Sequence, residues 1–376
     1  MRTAIAAVLA VLWVGSAAPG QTRLANEKEL VSAGSGDQPL AAIHSAQLSP
    51  DGRKLLYIRI EAIPPAEGAG GETRARRSFR LVLRDVATKT DTALPLAAGT
   101  FDDAFIMLLS KPLFSPDSRH VVTFVPDDAD KNGIWDHRSE KLHLGLYDIQ
   151  ANKLARLDLT DDIILPNFLG NGILVVQWKA RAQSGNLYWI KKIGAEPAKL
   201  ETAGVPVAVH PSKPQALLIV PKAVEGQGRP DVTLKLLDVA ADKVLADLPA
   251  DPKNSKLDDF PPRFTQDAKY AYYVDAERNG DNVKPLTRLW NVEENKAAMA
   301  LDQSVPVGPA GGGKMVLVRT TRNSREGDVG VHDPAANTWT PLSDVKGVVL
   351  WAGDGKIIFA RKRDDGNTSL HLAELK

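Results

Sequence analysis

The sequence predicts an all-β chain of seven four-stranded antiparallel units. Three observations predict it: a recurring turn, a second landmark that follows it, and the spacing of the copies. LSPDGRKLLYI, Leu48 to Ile58, sets the pattern. An apolar residue, a polar turn and an apolar run read as a strand, a tight reversal and a more buried strand. FSPDSRHVVTF (Phe114 to Phe124) and FTQDAKYAYYV (Phe264 to Val274) repeat it closely. Looser copies are VHPSKPQALLIV, PNFLGNGILVVQW, GPAGGGKMVLV and LWAGDGKIIFA. Taking Asp51, Asp117, Asn171, Ser212, Asp267, Gly311 and Asp354 as equivalent gives steps of 66, 54, 41, 55, 44 and 43 residues. The mean, 50.5 residues, suits one β-propeller blade.

The second landmark is an apolar strand ending in a polar residue, then a short loop closing on Lys or Thr. LRDVATKT (Leu83 to Thr90), LYDIQANK (Leu146 to Lys153), LLDVAADK (Leu236 to Lys243), LWNVEENK (Leu289 to Lys296) and VHDPAANT (Val331 to Thr338) share this form. Runs such as LLYI, VVTF, ALLIV, YAYYV and MVLV are continuously apolar, as expected of strands covered by a neighbouring blade on both faces. The fold class is therefore a seven-bladed β-propeller.

The turn in Leu48 to Ile58 and Phe114 to Phe124, with Leu146, Tyr147 and Asp148, resembles the TolB-type (WD-type) propeller repeat. That family's signature is an FSPDG-like turn before an apolar strand and a later LYxxD strand. The resemblance covers nearly all of the chain beyond its first twenty residues at low identity. It implies a fold and a repeat type, and the family is functionally mixed.

Taken in order, residues 1–20 have the form of a secretory signal peptide: Met1 to Thr3 is positive, Ala4 to Val14 apolar, and Ser16 to Gly20 small. The apolar run is shorter than the ~20 residues of a spanning helix. Export to the periplasm or beyond, with no membrane insertion, is the expectation. Residues 21–40 form a polar leader and 41–376 the seven repeats. The last repeat ends at Leu370 to Lys376 without a fourth strand, and Lys28 to Ala33 is the candidate to supply it, which removes an exposed edge. An insertion in the first repeat, Pro64 to Ser78, ends in a basic run with Arg74, Arg76, Arg77 and Arg80; it reads as a solvated loop or a site for an acidic partner.

The sharpest chemical signal is DADKNGIWD. Asp128, Asp130, Asn132 and Asp136, with the carbonyl of Ile134, match the opening of a calcium loop, where oxygens at alternate positions wrap a hard cation. Its twelfth position is Ser139 and Glu140 falls one place late, so the bidentate closing ligand is not secured. A poorer version, DAERNGDN, places Asp275, Glu277, Asn279 and Asp281 between the second and third strands of the fifth repeat. Both stretches also read as acidic turns, because Asp, Asn and Gly are what turns prefer. If calcium binds, it stiffens a loop.

Other signals exclude function classes. A net charge of +1 argues against nucleic acid as the main partner. There are no cysteines, so no thiol nucleophile or disulfide framework exists. GPAGGGK, Gly308 to Lys314, lacks the Ser or Thr and the helix of a phosphate loop. No GxSxG elbow occurs, and the seven histidines follow no ligand spacing, so most are expected at the surface or in hairpins. The tryptophans Trp178, Trp189, Trp290, Trp339 and Trp351 are expected at cores or blade interfaces. No catalytic residue is assigned. The leading reading is a non-catalytic propeller that binds a protein or envelope component through its loops and central mouth. The alternative is an exported hydrolase, lyase or lactonase with its site in the axial channel, which needs no linear motif.

Overall fold

The computed structural model describes residues 24–32, 43–63, 76–94, 113–127, 141–161, 163–179, 184–222, 231–250, 260–279, 282–320, 327–342, 345, 348–362 and 368–376. Among the described residues, 28 strands form seven four-stranded antiparallel sheets. The first strand, β1 (Leu24–Ser32), is set apart. Blade 1 is β2 (Ile43–Leu48), β3 (Lys54–Ile63), β4 (Arg76–Asp85) and β5 (Asp91–Ala93); blade 2 is β6 (Leu113–Phe114), β7 (His120–Pro126), β8 (Leu142–Asp148) and β9 (Lys153–Asp161). Blade 3 is β10 (Ile163–Leu169), β11 (Gly172–Lys179), β12 (Ser184–Ile190) and β13 (Ala198–Lys199); blade 4 is β14 (Val205–Val209), β15 (Gln215–Lys222), β16 (Asp231–Asp238) and β17 (Lys243–Leu248). Blade 5 is β18 (Arg263–Phe264), β19 (Tyr270–Asn279), β20 (Asn282–Asn291) and β21 (Lys296–Asp302); blade 6 is β22 (Ser304–Gly311), β23 (Lys314–Arg319), β24 (Asp328–Asp333) and β25 (Thr338–Pro341). Blade 7 joins β26 (Val348–Gly353), β27 (Lys356–Lys362) and β28 (Thr368–Leu375) to β1.

The recurring turn has a common chemistry. In blade 1 the Ser49 hydroxyl donates to Asp51 Oδ1 at 2.6 Å, which also accepts the Arg53 N–H at 3.0 Å, while the Lys54 N–H donates to Ser49 Oγ at 2.9 Å. Ser115, Asp117, Arg119 and His120 repeat these bonds in blade 2, and Thr265, Asp267, Lys269 and Tyr270 repeat them in blade 5. The next position needs the left-handed conformation: Gly52, Ser118 and Ala268 have φ of 72°, 60° and 56°. The second landmark closes likewise. Asp85, Asp148, Asp238, Asn291 and Asp333 each accept backbone N–H groups with Oδ1, and Lys89, Asn152, Asp242, Asn295 and Asn337 turn the chain at φ between 48° and 59°.

The second strand of each blade splits its apolar run between two neighbours. Leu56 and Ile58 of β3 pack toward blade 2, while Leu55 and Tyr57 pack toward blade 7. The same division holds at β11, where Ile173 and Val175 meet blade 2 and Leu174 and Val176 meet blade 4. Among the described residues seven apolar clusters result, one at each junction round the ring. A strand side chain alternates by two, so both faces must be apolar when both are covered. Each large aliphatic so buried contributes about 1.5–3 kcal/mol.

β1 closes the ring. It pairs antiparallel with β28 from Leu24 against Leu375 to Ser32 against Ser369, as the outermost strand of blade 7. The expected fourth strand is therefore present and begins at Leu24, four residues before Lys28. The extra turn of pairing is polar: Asn26 donates to Glu374 Oε2 at 2.7 Å, and Arg361 holds Glu27 with two bonds of 2.7 and 3.1 Å.

Two other expectations shift. β4 begins at Arg76, so Arg76, Arg77 and Arg80 belong to a strand and the connection from β3 is shorter than Pro64 to Ser78. In blade 5, Asp275, Glu277 and Asn279 lie inside β19 rather than in a loop, because that hairpin continues its pairing to Asn279 against Asn282. Alternating strands also fix the rims. Tight first-to-second and third-to-fourth turns leave one rim, and the second-to-third and blade-to-blade connections depart from the other.

Candidate functional site

The site starts at a missing side chain. Gly330 lies mid-strand in β24, and a Cβ there would fall 2.3 Å from Cζ2 of Trp339 on β25. Without one, the indole rests against the sheet. Its other face is covered by Arg319 of β23, whose guanidinium carbon stands 4.3 Å from the ring centroid. Both faces of Trp339 are thus occupied, which leaves no platform for stacking a sugar. The ring instead holds an exposed cation in place.

Arg319 lies opposite Asp328 in the β23–β24 register and opposite Ser304 in the β22–β23 register. Directly opposed residues share a face of the sheet. This face looks across to β21 of blade 5, and the two walls enclose a cleft of about 540 Å³ lined by Asp302, Ser304, Leu301, Leu317, Arg319 and Asp328 among others. Its strand ends place it on the rim that carries the long connections.

His332 completes the wall. It is 2% exposed, and its Nδ1 lies 2.9 Å from the Tyr272 hydroxyl of blade 5, whose ring it meets edge-on. Burial pushes the imidazole below its ordinary value; the Asn337 side chain and the Asp333 charge oppose this, and the Arg319 charge adds to it. Burial likewise raises Tyr272, so the phenol keeps its proton beside Nδ1. The other ring nitrogen, Nε2, has no aligned hydrogen-bond partner among the described residues.

The structure treats the sequence-derived candidates unevenly. Asp128, Asp130, Asn132, Ile134 and Asp136 lie outside the described residues, as does Asp281. Asp275 is 1% exposed and bonded to Arg288 of β20, an inter-strand ion pair. Glu277 and Asn279 occur further along β19. Among the described residues no three His, Cys, Asp or Glu side chains are grouped to hold a metal ion. Two histidines depart from expectation: His332 and His371 are buried within strands, where each bridges to a neighbouring side chain, while His210 is buried but lies in the β14–β15 hairpin turn. Gly308 to Lys314 forms the β22–β23 reversal, between two strands and without a helix. Trp290 packs in the junction of blades 4 and 5, and Trp189, Trp339 and Trp351 pack against blade junctions.

A second polar chain joins Ser369, His371 and Glu27 in blade 7. Ser369 Oγ lies 2.7 Å from His371 Nε2, and His371 Nδ1 lies 2.8 Å from Glu27 Oε1. The order is that of a nucleophile, a base and an orienting carboxylate. Two facts place it with the closure of blade 7: Ser369 is 1% exposed, and the Glu27 contact is not aligned with a ring N–H. Arg361 already occupies both Glu27 oxygens.

No family model matches the sequence, and no curated protein sequence matches it. Solved structures do match. The β-propeller domain of the Trilobed protease from Pyrococcus furiosus superposes with a TM-score of 0.56 at 9% identity, covering 89% of this chain and 96% of that one. Its likeness decides the fold. This is a β-propeller. Prolyl oligopeptidase B from Galerina marginata matches at a TM-score of 0.52 and 14% identity, over 87% of this chain and 46% of that one, so this propeller spans about half of the peptidase. TolB from Acinetobacter baumannii matches at a TM-score of 0.40 and 12% identity, over 85% and 81%. The Pyrococcus domain is described as having an open velcro topology. Here the propeller's first and last strands pair within one blade.

Sequence reasoning missed Arg319, Trp339 and His332 as a group. They stand in three strands, and only Gly330, an unexplained glycine between apolar strand residues, marked a place where another group approaches the backbone.

Proposed function

We propose that this chain is an exported, non-catalytic propeller of the TolB-type repeat that holds a protein or cell-envelope component at the rim carrying its long connections. The observation that carries this is the cation fixed on Trp339 at the mouth of the cleft. Arg and Trp are the residue types that dominate binding energy in interfaces, and here the arginine is already ordered before a partner arrives. Export is supported by the signal-like residues 1–20. The acidic connection after β7, with Asp128, Asp130, Asn132, Ile134 and Asp136, departs from the same rim. We assign it the role of a calcium loop that stiffens that rim.

Two experiments test the reading. After chemical cross-linking in the native host's envelope, the wild-type chain is expected to give a discrete partner species that Arg319→Glu loses while keeping its melting temperature. An undiminished species in that variant would contradict the assignment, and turnover of an ester, lactone or uronide by the purified chain would favour the enzyme. For the loop, calorimetry on the mature protein is expected to show one calcium bound and lost in Asp130→Ala. No heat in the wild type would return it to an ordinary turn.

A further inference from the structure

The cleft between blades 5 and 6 carries both signs of charge without neutralising them. Arg319, Asp302 and Asp328 all line it and all are exposed, yet among the described residues neither carboxylate is within ion-pair distance of the guanidinium. Their positions are set independently. Trp339 holds Arg319 from β25, the β23–β24 register sets Asp328, and Asp302 ends β21 on the opposite blade. Leu301 and Leu317 line the same cleft, and the buried His332 adds to its wall an Nε2 with no aligned hydrogen-bond partner. Counting His332 as neutral, these side chains carry one cation against two anions.

From this arrangement we infer that the cleft binds a mixed-charge peptide segment, its carboxylate against Arg319 and an ammonium against Asp302 and Asp328, with aliphatic carbon over the two leucines. The inference rests on the binding-propeller reading and gives its ligand a chemical class. A lone anion meets two like charges here, and a lone cation meets the fixed guanidinium. A dipolar chain satisfies both signs at once. The planar donors of Arg319 are free at their edges for a bidentate carboxylate, because the stack uses only a face. A volume of about 540 Å³ falls within the range of ligand pockets and suits two or three residues of chain.

The test is calorimetric titration of the full chain with three probes: the blocked peptide acetyl-Lys-Ala-Glu-amide, glutarate and 1,5-diaminopentane. The peptide is expected to bind at least tenfold more tightly than either single-sign probe, and to weaken at least fivefold in Arg319→Gln and in Asp328→Asn. Both substitutions are at exposed positions, and unchanged melting temperatures confirm the fold. Tighter binding of glutarate would make the site an anion site and overturn the inference. So would equal affinities in the wild type and both variants, or no binding of the peptide. Those failures leave the envelope cross-link, and its loss in Arg319→Glu, as a separate result.

Discussion

His210 does in blade 4 what a Ser–Asp pair does in blades 1, 2 and 5. Its Nδ1 accepts the N–H groups of Ser212 and Lys213 at 3.2 and 3.0 Å, so the turn needs the neutral ring. Burial, aided by Lys213, lowers its pKa to about 4 from 6.5. The unfolded chain therefore takes a proton between those values and the folded chain does not. Stability is full above about pH 6.5 and falls as the pH drops toward 4, by about 2 kcal/mol at pH 5. His332 contributes with the same sign. Urea unfolding at pH 7 and pH 5 is expected to show this loss, and His210→Asn, which keeps an acceptor and has no proton to gain, is expected to reduce it; an unchanged pH dependence would contradict the role. At Asp51, burial works to raise the pKa, but the Ser49 hydroxyl, the Arg53 N–H and charge, and the Ser118 hydroxyl hold it low. At Asp117 burial likewise opposes, and the Ser115 hydroxyl, the Arg119 N–H and the His120 and Arg119 charges hold the carboxyl low. These turns were legible in sequence because their chemistry is local: Ser, Asp and a left-handed residue within five positions. His210 was not, since an imidazole acting as a backbone cap has no spacing of its own. Gly330→Ala is the sharpest single test at the cleft. Its methyl must push Trp339 from the sheet and release Arg319, with an expected loss of about 1–3 kcal/mol and weaker peptide binding.

At the scale of elements, closure by β1 combines two unequal contributions. Leu30 and Val31 are buried against blades 7 and 1, and the strand covers the edge of β28. The ion pair of Glu27 with Arg361 is about one-third exposed on each side, so water screens it. Glu27→Ala is therefore expected to cost no more than about 1 kcal/mol. Deleting residues through Ser32 is expected to remove several kcal/mol and to promote aggregation through the bared edge of β28. Melting curves of the two forms, read beside light scattering, distinguish these contributions; equal melting temperatures for the deletion and the full chain would contradict the closure. The missing fourth strand could be counted from the repeats, but its start could not. Asn26, at φ 52° beside a register shift, breaks the alternation on which a strand is recognised. The blade 5 hairpin misled for the converse reason: turn-forming residues were kept in strand by a partner, Arg288, on the neighbouring strand.

For the whole molecule, the two rims differ in kind. One is a ring of short, internally bonded turns; the other receives the strand ends that lead to the long connections and opens the cleft between blades 5 and 6. The apolar stripes that revealed the blades are consumed in the seven junctions, and so they carry no information about a ligand. The cleft was illegible because Gly330, Trp339 and Arg319 meet only when three strands of blade 6 pair, and Asp302 joins them only when blade 5 is docked. The most direct measurement is site-specific photo-cross-linking in the native envelope, with the reactive residue placed at Asp302 on the cleft rim or at Glu293 on the turn rim. A discrete adduct from position 302, absent from position 293 and abolished by Arg319→Glu, is the result expected of a propeller that binds by this rim. Equal adducts from both positions, or an adduct from position 293 alone, would contradict it.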